Sequence, residues 1–289
     1  MLKSLRKTIV SVVELSIRYF KDTIMEYNIW WFIYIPDQIL NILLGLASWY
    51  YYTLFAAKGI IETTYGGDII SFLIIGIALN PILSSAISLP HMIIRMLYSG
   101  FWQSGGVRLS QWAVYYLAKR SKYERAISYF VSEMIVNIFS LSLYFFIGFL
   151  VFGFKINPNA NYLAAFIAFI FGYASCLALG ILAACTVWFF IKAPINVATN
   201  PVVWFLSQLP TILSGVYFPV DVLPGWLRVI GYYFPQTYTF SAVRHALLGG
   251  SSFNELLPEI IKLILYSTLL PISILIYKKV ERYMIRKVL

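Results

Sequence analysis

The chain has 289 residues, of which 60% are hydrophobic and only 12% are charged. A soluble domain carries about 25% charged residues, so this composition excludes a soluble globular protein and makes lipid the solvent for most of the chain. The net charge of +10 is typical of a membrane protein with positive cytoplasmic loops, and we expect no nucleic-acid partner.

The first 27 residues form an amphipathic segment. We expect residues 1–27 to form a helix that lies in the cytoplasmic membrane interface. A helix packed against a soluble partner protein is the alternative. At 100° per residue, the apolar side comprises Leu2, Leu5, Ile9, Val12, Val13, Ile17, Phe20 and Ile24, and the polar side largely comprises Lys3, Lys7, Glu14, Arg18 and Lys21.

Six apolar stretches follow, and each is a candidate for a membrane-crossing helix. Such a helix needs about 20 predominantly apolar residues. The chain has no internal repeat and no low-complexity linker, so we predict a single all-α membrane domain, residues 1–289, with six transmembrane helices. The predicted spans are 30–55, 69–94, 126–152, 162–191, 201–215 and 258–277.

The placement of lysine and arginine sets the orientation. With the N-terminus inside, most of the 22 basic residues fall on the inner side. They concentrate in the N-terminal helix, in residues 95–125 and in the tail after Tyr277. Because the number of spans is even, we expect both termini to lie in the cytoplasm.

The apolar stretch before the last span cannot be one transmembrane helix, because Pro219, Pro224 and Pro235 each remove a backbone donor. We predict a span that ends near Gly215, followed by a cap, residues 216–250, in which two short helices dip into the membrane from outside and return. The many aromatic side chains of the cap fit an interfacial position. An ordinary loop on the membrane surface is the alternative.

Polar and small residues recur at helical spacing inside the spans. Most such residues hold membrane helices together, but a carboxylate inside a span is costly and commonly faces an interior or a water path. We therefore predict a polar substrate path in which Asp37 and Glu133 are the most informative members. Its candidates are Asp37, Asn41, Asn80, Glu133, Asn200 and Thr211.

Two further patterns favour packing. Gly172, Cys176, Gly180 and Ala184 repeat every four residues in the fourth span and make a smooth ridge that permits close helix approach. In the second span, a stripe of Gly76, Asn80, Ser84 and Ser88 has the same spacing.

No catalytic or metal-binding constellation is recognisable. His91 and His245 lie on opposite sides of the membrane in the predicted topology, so they cannot share a site. No Cys/His cluster has zinc-ligand spacing, and the phosphate-loop pattern G-x-x-x-x-G-K-[ST] is missing. We expect no enzymatic activity, metal or cofactor in this chain, which disfavours a lipid-modifying enzyme.

Residues 95–125 form a long basic connection on the predicted cytoplasmic side. Its middle is predicted as a short helix that opens after Gly105–Gly106. Such a helix offers a surface against which an energised partner can push, although a helix that rests on anionic lipid fits the same pattern. The candidate contact residues are Val107, Arg108, Trp112, Tyr115 and Leu117.

The order of these elements resembles the type-2 ABC exporter permease family. The most specific part is SGVYFPVDVLPGWLRVIGYYFPQTYTFSAVRHALLGG, which is similar to that family's small-Gly-x-x-[YF]-[FP]-P, [LV]-P-x-[WF]-[LI] and P-[ILT]-x-[YW] patterns, followed by a basic residue. The loop 95–125 departs from the family, which usually carries a Gly-Thr-Leu-Glu-like string there. The matching positions are Ser214, Gly215, Phe218, Pro219, Leu223, Pro224, Trp226, Leu227, Pro235, Tyr238 and Arg244.

The resemblance implies a half-transporter in a prokaryotic plasma membrane. It would pair with a second copy of itself and with two separate ATPase subunits, which hold ATP and Mg²⁺, and it would move an amphipathic, lipid-linked or polymeric substrate outward. The residues alone leave open an ion-coupled secondary transporter that uses Asp37 and Glu133, although such transporters usually show inverted repeats. An outer gate is implied at Phe218, Pro219, Trp226 and Pro235.

Overall fold

The computed structural model describes residues 9–17, 35–98, 100–104, 107–110, 122–189 and 200–288. Helices dominate these residues, as the composition predicts. Short 3-10 or π turns extend three of the helices, at Ile61–Tyr65, Cys185–Phe189 and His245–Gly249, and another 3-10 turn covers Val220–Val222. The helices are α1 (9–17), α2 (Ile35–Ile60), α3 (Ile69–Tyr98), α4 (Lys122–Phe152), α5 (Tyr162–Ala184), α6 (Pro201–Leu213), α7 (Gly225–Gly231), α8 (Pro235–Arg244), α9 (Phe253–Ser267) and α10 (Leu269–Val288).

A short antiparallel hairpin follows α3, with strands β1 (Gly100–Ser104) and β2 (Val107–Ser110). The prediction that a helix opens after Gly105–Gly106 is wrong for its first residues, because β2 pairs with the chain that precedes the glycines. A Gly-Gly pair between two short strands is a known signal for a β-hairpin, so the hairpin was predictable from the sequence. Of the predicted contact residues, Val107 and Arg108 lie in β2, whereas Trp112, Tyr115 and Leu117 lie outside the described residues.

Four helical stretches are long and apolar enough to cross a membrane: Ile69–Tyr98, Tyr123–Phe152, Tyr162–Phe189 and Phe253–Arg286. A fifth span is present if Ile39–Phe55 and Ala57–Tyr65, two helices that meet at a bend of 88°, cross the membrane as one unit. Helix α6 has only 13 residues. At 1.5 Å per residue it rises about 20 Å, less than the about 30 Å of a bilayer core. The structure thus establishes a multi-pass protein, while the number six stays a prediction.

Helix α3 is the centre of the bundle. Its apolar window is 72% buried, against 22% for Tyr123–Phe152 and 17% for Phe253–Arg286. It contacts α2, α4, α5 and α6, whereas the outer helices turn large apolar side chains such as Phe149 and Leu265 outward. A central helix surrounded by helices with exposed apolar faces is the arrangement expected when lipid is the solvent.

Local sequence signals set several helix starts. The Asn161 side chain accepts the Ala164 N–H at 3.1 Å and so caps α5. Before α9, the Glu255 carboxylate accepts the Ser252 N–H at 3.1 Å, as in a capping box. Pro235 occupies the first position of α8, where a backbone N–H is not needed.

The predicted glycine ridge of α5 packs closely against its neighbours. A β-carbon at Gly172 would lie 2.1 Å from the Thr239 hydroxyl of α8. One at Gly180 would lie 2.5 Å from the Ile87 carbonyl oxygen of α3. The ridge is therefore a packing surface, as the spacing predicted.

Helix α1 lies against the start of α4. The Ser16 hydroxyl donates to the Ser128 carbonyl at 3.2 Å, and the Ser128 hydroxyl donates to the Val12 carbonyl at 3.3 Å. Ile9 and Ile17, from the predicted apolar side, are about half exposed. This exposed apolar surface fits the predicted interfacial helix, whose membrane location stays a prediction.

A buried carboxylate joins α10 to α3 at one end of the bundle. Glu281 of α10 is 4% exposed and accepts the Tyr98 hydroxyl at 2.6 Å and the Tyr277 hydroxyl at 3.0 Å. The Tyr98 ring also lies 4.8 Å from the Trp188 ring, beyond the end of α5. Since Tyr98 is the last residue of α3, this cluster fixes the end of α3 directly before the hairpin.

We expect Tyr98→Phe to lower the free energy of unfolding by about 1–3 kcal/mol, because a hydrogen bond to a buried carboxylate is lost. The measurement is thermal unfolding in detergent, followed by tryptophan fluorescence. Tyr162→Phe is the control, since Tyr162 is 63% exposed and should tolerate the same change. Equal unfolding temperatures for the two variants would contradict a structural role for this cluster.

Candidate functional site

A cavity of about 500 Å³ opens between α3 and α6. Polar side chains share its lining with apolar ones, and His91 and Arg95 lie one helical turn apart at the end nearer Tyr98. We call this cavity the groove. Its volume falls within the about 300–1,000 Å³ typical of ligand sites. The polar side chains that line it include Ser84, Ser88, His91 and Arg95 of α3, Asn200 before α6, and Trp204, Ser207 and Gln208 of α6.

A chain of polar contacts continues the groove toward the middle of α3. The Ser84 hydroxyl lies 3.2 Å from the Ser207 carbonyl oxygen and 3.4 Å from Asn80 Oδ1. The Thr211 hydroxyl lies 3.4 Å from the same Asn80 oxygen. Two residues of the predicted path, Asn80 and Thr211, are therefore brought together between α3 and α6.

Hydrogen bonds from neighbouring segments hold the walls of the groove in place. The Asn137 amide of α4 donates to the Ser85 hydroxyl of α3 at 2.9 Å. At the start of α6, the buried Asn200 caps the helix through the Val202 N–H and donates to the Thr186 hydroxyl at 2.6 Å. Asn200 thus fixes the start of α6 and lines the groove at the same time.

The two carboxylates of the predicted path lie elsewhere. Asp37 is exposed on the first turn of α2, where it accepts the Asn41 amide at 3.1 Å. Glu133 is half buried on α4 and forms a hydrogen bond with Tyr129. No contact described for either carboxylate joins it to the other or to the groove. Asn80, Thr211 and Asn200 therefore lie at or next to the groove, whereas no described contact brings Asp37 or Glu133 to it. This arrangement gives no support to an ion-coupled pair.

Arg244 ties the cap to the bundle. It is only 1% exposed, and its guanidinium carbon lies 3.5 Å from the centre of the Phe72 ring. Nε and Nη2 donate to the Phe72 carbonyl at 3.1 and 3.0 Å, and Nη2 also donates to the Val216 carbonyl at 2.7 Å. Nη1 donates to the Gly215 carbonyl. One side chain thus joins α8, α3 and the exit of α6.

Two glycines make room for this arginine. A β-carbon at Gly76 would lie 2.1 Å from the Val216 carbonyl oxygen and 2.3 Å from Arg244 Nη2. Gly215 has φ of +88°, a conformation that glycine adopts without strain. Gly76 of the predicted stripe therefore serves the cap, whereas Asn80, one turn further along the stripe, extends the groove.

Hydrogen bonds hold the two short helices of the cap in place. The Tyr232 hydroxyl donates to Asp221 at 3.0 Å, and the Tyr238 hydroxyl donates to the Tyr232 carbonyl at 2.9 Å. Burial, together with the hydrogen bond to Asp221, raises the pKa of Tyr232 to about 12, so this donor keeps its proton at neutral pH. Two short helices are present as predicted, and their dip into the membrane stays a prediction.

The predicted outer-gate residues differ in their surroundings. Pro219 and Pro235 are buried, Phe218 is half buried, and Trp226 is 69% exposed on α7. Beside Phe218, the Tyr217 ring stacks on Trp49 of α2 at 4.3 Å. The cap thus contacts α2 as well as α3.

A second cavity, of about 280 Å³, lies beneath the cap. Its lining includes His245 and Glu259, whose side chains are 3.9 Å apart. Burial lowers the pKa of His245, although the Glu259 carboxylate opposes this shift. Among the residues that the structure describes, no group of three His, Cys, Asp or Glu side chains could hold a metal ion.

Several helices long and apolar enough to cross a membrane, with a groove between α3 and α6, define a multi-pass membrane protein. The chain matches the family model of the ABC-2 type transporter over residues 21–248 and belongs to that family. It is thus a permease component of an ABC transporter, which confirms the resemblance seen in the cap. Members of this family are the membrane components of transporters. They are not themselves catalytic, and they work with ATP-binding partner subunits. No curated protein matches the sequence.

Sequence reasoning missed the charged end of the groove and the contacts of Arg244. The spacing of Asn80, Ser84 and Ser88 indicates one face of α3, and one further turn of that face leads to His91 and then Arg95. The partners of Arg244 are backbone carbonyls distant in sequence, and no residue pattern marks them.

Proposed function

We propose that this chain is the membrane subunit of an ATP-driven exporter that moves an amphipathic, lipid-linked or polymeric substrate outward. The match to the ABC-2 type transporter over residues 21–248 carries the proposal. The polar groove in an otherwise apolar bundle supports it, because polar side chains within a membrane span commonly mark a substrate path. ATP and Mg²⁺ belong to a separate ATPase subunit.

Two copies of the chain enclose the transport path, with both termini in the cytoplasm of a prokaryotic cell. The groove between α3 and α6 receives the substrate from the inner side. Asn80 and Thr211 continue this path toward the cap, where Phe218, Pro219, Trp226 and Pro235 form the outer gate. The Arg244 contacts support this role for the cap, because they transmit any movement of α3 to α8.

The connection 95–125 links the ATPase to the path. It begins within α3, whose last turn is fixed by the Tyr98–Glu281 hydrogen bond, and α3 also forms one wall of the groove. A push on β1–β2 or on the residues that follow therefore reaches the groove through one continuous helix. The contact residues for the ATPase are Val107, Arg108, Trp112, Tyr115 and Leu117.

The test uses proteoliposomes that contain this chain together with its ATP-binding subunit. A fluorescent phospholipid serves as the amphipathic probe, and its transfer to the leaflet opposite the ATPase is followed by chemical quenching. We expect transfer that requires ATP and persists when a protonophore collapses the proton gradient. A partner subunit with an inactivated ATP site is the control and should give no transfer. ATP hydrolysis by this chain alone, or transfer driven by a proton gradient without ATP, would refute the proposal.

A further inference from the structure

The inner end of the groove contains a buried nitrogen without a partner. His91 is 6% exposed, and its Nδ1 has no hydrogen-bond partner among the residues that the structure describes. The ring lines the groove next to Arg95. Leaving a buried polar atom unpaired is unfavourable, and an anionic oxygen bound in the groove would accept a hydrogen bond from this nitrogen when it carries a proton.

The start of α6 belongs to the other wall of the groove. Asn200, which caps α6, and Val203 both line the groove. Pro201 has no N–H and the Asn200 side chain accepts that of Val202, so α6 attracts an anion here through the positive end of its helix dipole. The described lining includes Arg95 and His91 and contains no aspartate or glutamate. The positive charge of Arg95, the start of α6 and the unpaired nitrogen of His91 therefore all favour an anionic ligand.

The groove also has an apolar rim. Met92 is 49% exposed and Trp204 is 57% exposed, and both line the groove. An apolar chain can lie along these side chains while its polar head group enters between α3 and α6. This combination fits an amphipathic molecule better than a small free anion.

We propose that the inner end of the groove binds the phosphate of an amphipathic anion, with His91, Arg95 and the start of α6 around the phosphate and the apolar tail along Met92 and Trp204. This inference rests on the proposed function and narrows its substrate class to phosphate-bearing amphiphiles.

The cavity beneath the cap lacks this combination. There the Tyr232 hydroxyl donates to Asp221, His245 faces Glu259, and Arg244 is bonded to backbone carbonyls. Polar groups that already have partners gain little from a ligand. The unpaired nitrogen of the groove distinguishes it from the outer cavity.

The test measures lipid binding to the full chain in detergent by native mass spectrometry, without the ATPase. The probes are phosphatidic acid and phosphatidylcholine with identical acyl chains. We expect phosphatidic acid to bind with a dissociation constant at least about tenfold lower, since only its phosphate is a compact, accessible anion. Arg95→Gln should remove most of this preference.

Gln208 allows a sharper test, because its side chain is exposed and lines the groove, so a new charge there should not disturb folding. Gln208→Lys should tighten the binding of phosphatidic acid about fivefold, and Gln208→Glu should weaken it about fivefold, as expected for one charge at the edge of a partly wet site. Lys278→Gln is the control, because it removes one positive charge from an exposed site outside the groove.

Inorganic phosphate distinguishes a lipid head group from a free anion. We expect it to displace phosphatidic acid only at about 100-fold higher concentration, since it cannot use the apolar rim. Equal affinity for inorganic phosphate, equal affinity for the two lipids, or identical behaviour of Gln208→Lys and Gln208→Glu would overturn this inference. If phosphatidic acid binds as expected but ATP-dependent lipid transfer fails, only the proposed export is refuted. If ATP-dependent transfer occurs but the charge variants do not change the binding of phosphatidic acid, only this inference is refuted.

Discussion

Arg244→Gln is expected to destabilise the cap strongly and to abolish transport. The guanidinium donates to the Gly215 and Val216 carbonyls, which are buried, and to the Phe72 carbonyl. Each buried carbonyl left without a partner costs about 1–3 kcal/mol, so the loss of two gives about 2–6 kcal/mol. Thermal unfolding of the purified chain should show a decrease of about 10 °C, or the protein should fail to accumulate.

Two further variants separate the geometry of Arg244 from its charge. Arg244→Lys keeps the charge, but one ammonium cannot span three carbonyls or stack flat on the Phe72 ring, so we expect it to recover only part of the stability. Arg282→Gln removes an arginine from an exposed site on α10 and should leave unfolding unchanged. If Arg244→Gln unfolds at the temperature of the unaltered chain, the cap does not depend on this side chain.

The parts of the fold that follow from local pattern could be predicted. Periodic apolar stretches gave the four long helices, and prolines spaced along the cap indicated two short ones instead of one span. The spacing of Gly172 and Gly180 indicated close packing, because small residues every four positions form a continuous surface. Each of these features is determined by residues that lie within a few helical turns of each other in one segment.

The parts that depend on distant contacts could not be predicted in this way. Arg244 was recognisable as the basic residue that ends the cap motif, but its partners Phe72 and Val216 lie in other segments. The cost of a carboxylate inside a span makes Asp37 and Glu133 candidates for the path, yet the bundle places neither at the groove. The sequence shows for His91 only that it cannot share a site with His245, and the packing of α6 against α3 shows that it is buried at the groove.

Gly180→Ala is expected to force α3 and α5 apart. The new methyl group would lie 2.5 Å from the Ile87 carbonyl oxygen and 2.7 Å from the Ala86 carbonyl oxygen. Both obstacles are backbone atoms of α3, so no side-chain rotation relieves the overlap, and we expect a loss of about 1–3 kcal/mol or more. Because α3 also forms a wall of the groove, transport should fall together with stability.

The same substitution at Gly59 provides a matched control. Gly59 lies in α2, and among the described residues no atom outside its own helical backbone and chain neighbours lies within 4 Å of an added β-carbon. Alanine is a better helix former than glycine by about 1 kcal/mol, so Gly59→Ala should raise the unfolding temperature slightly while Gly180→Ala lowers it. If the same substitution raises the unfolding temperature at Gly59 and lowers it at Gly180, contact with the α3 backbone, and not helix propensity, sets the cost at Gly180. A rise at both positions would mean that α3 and α5 do not approach as closely as the structure shows.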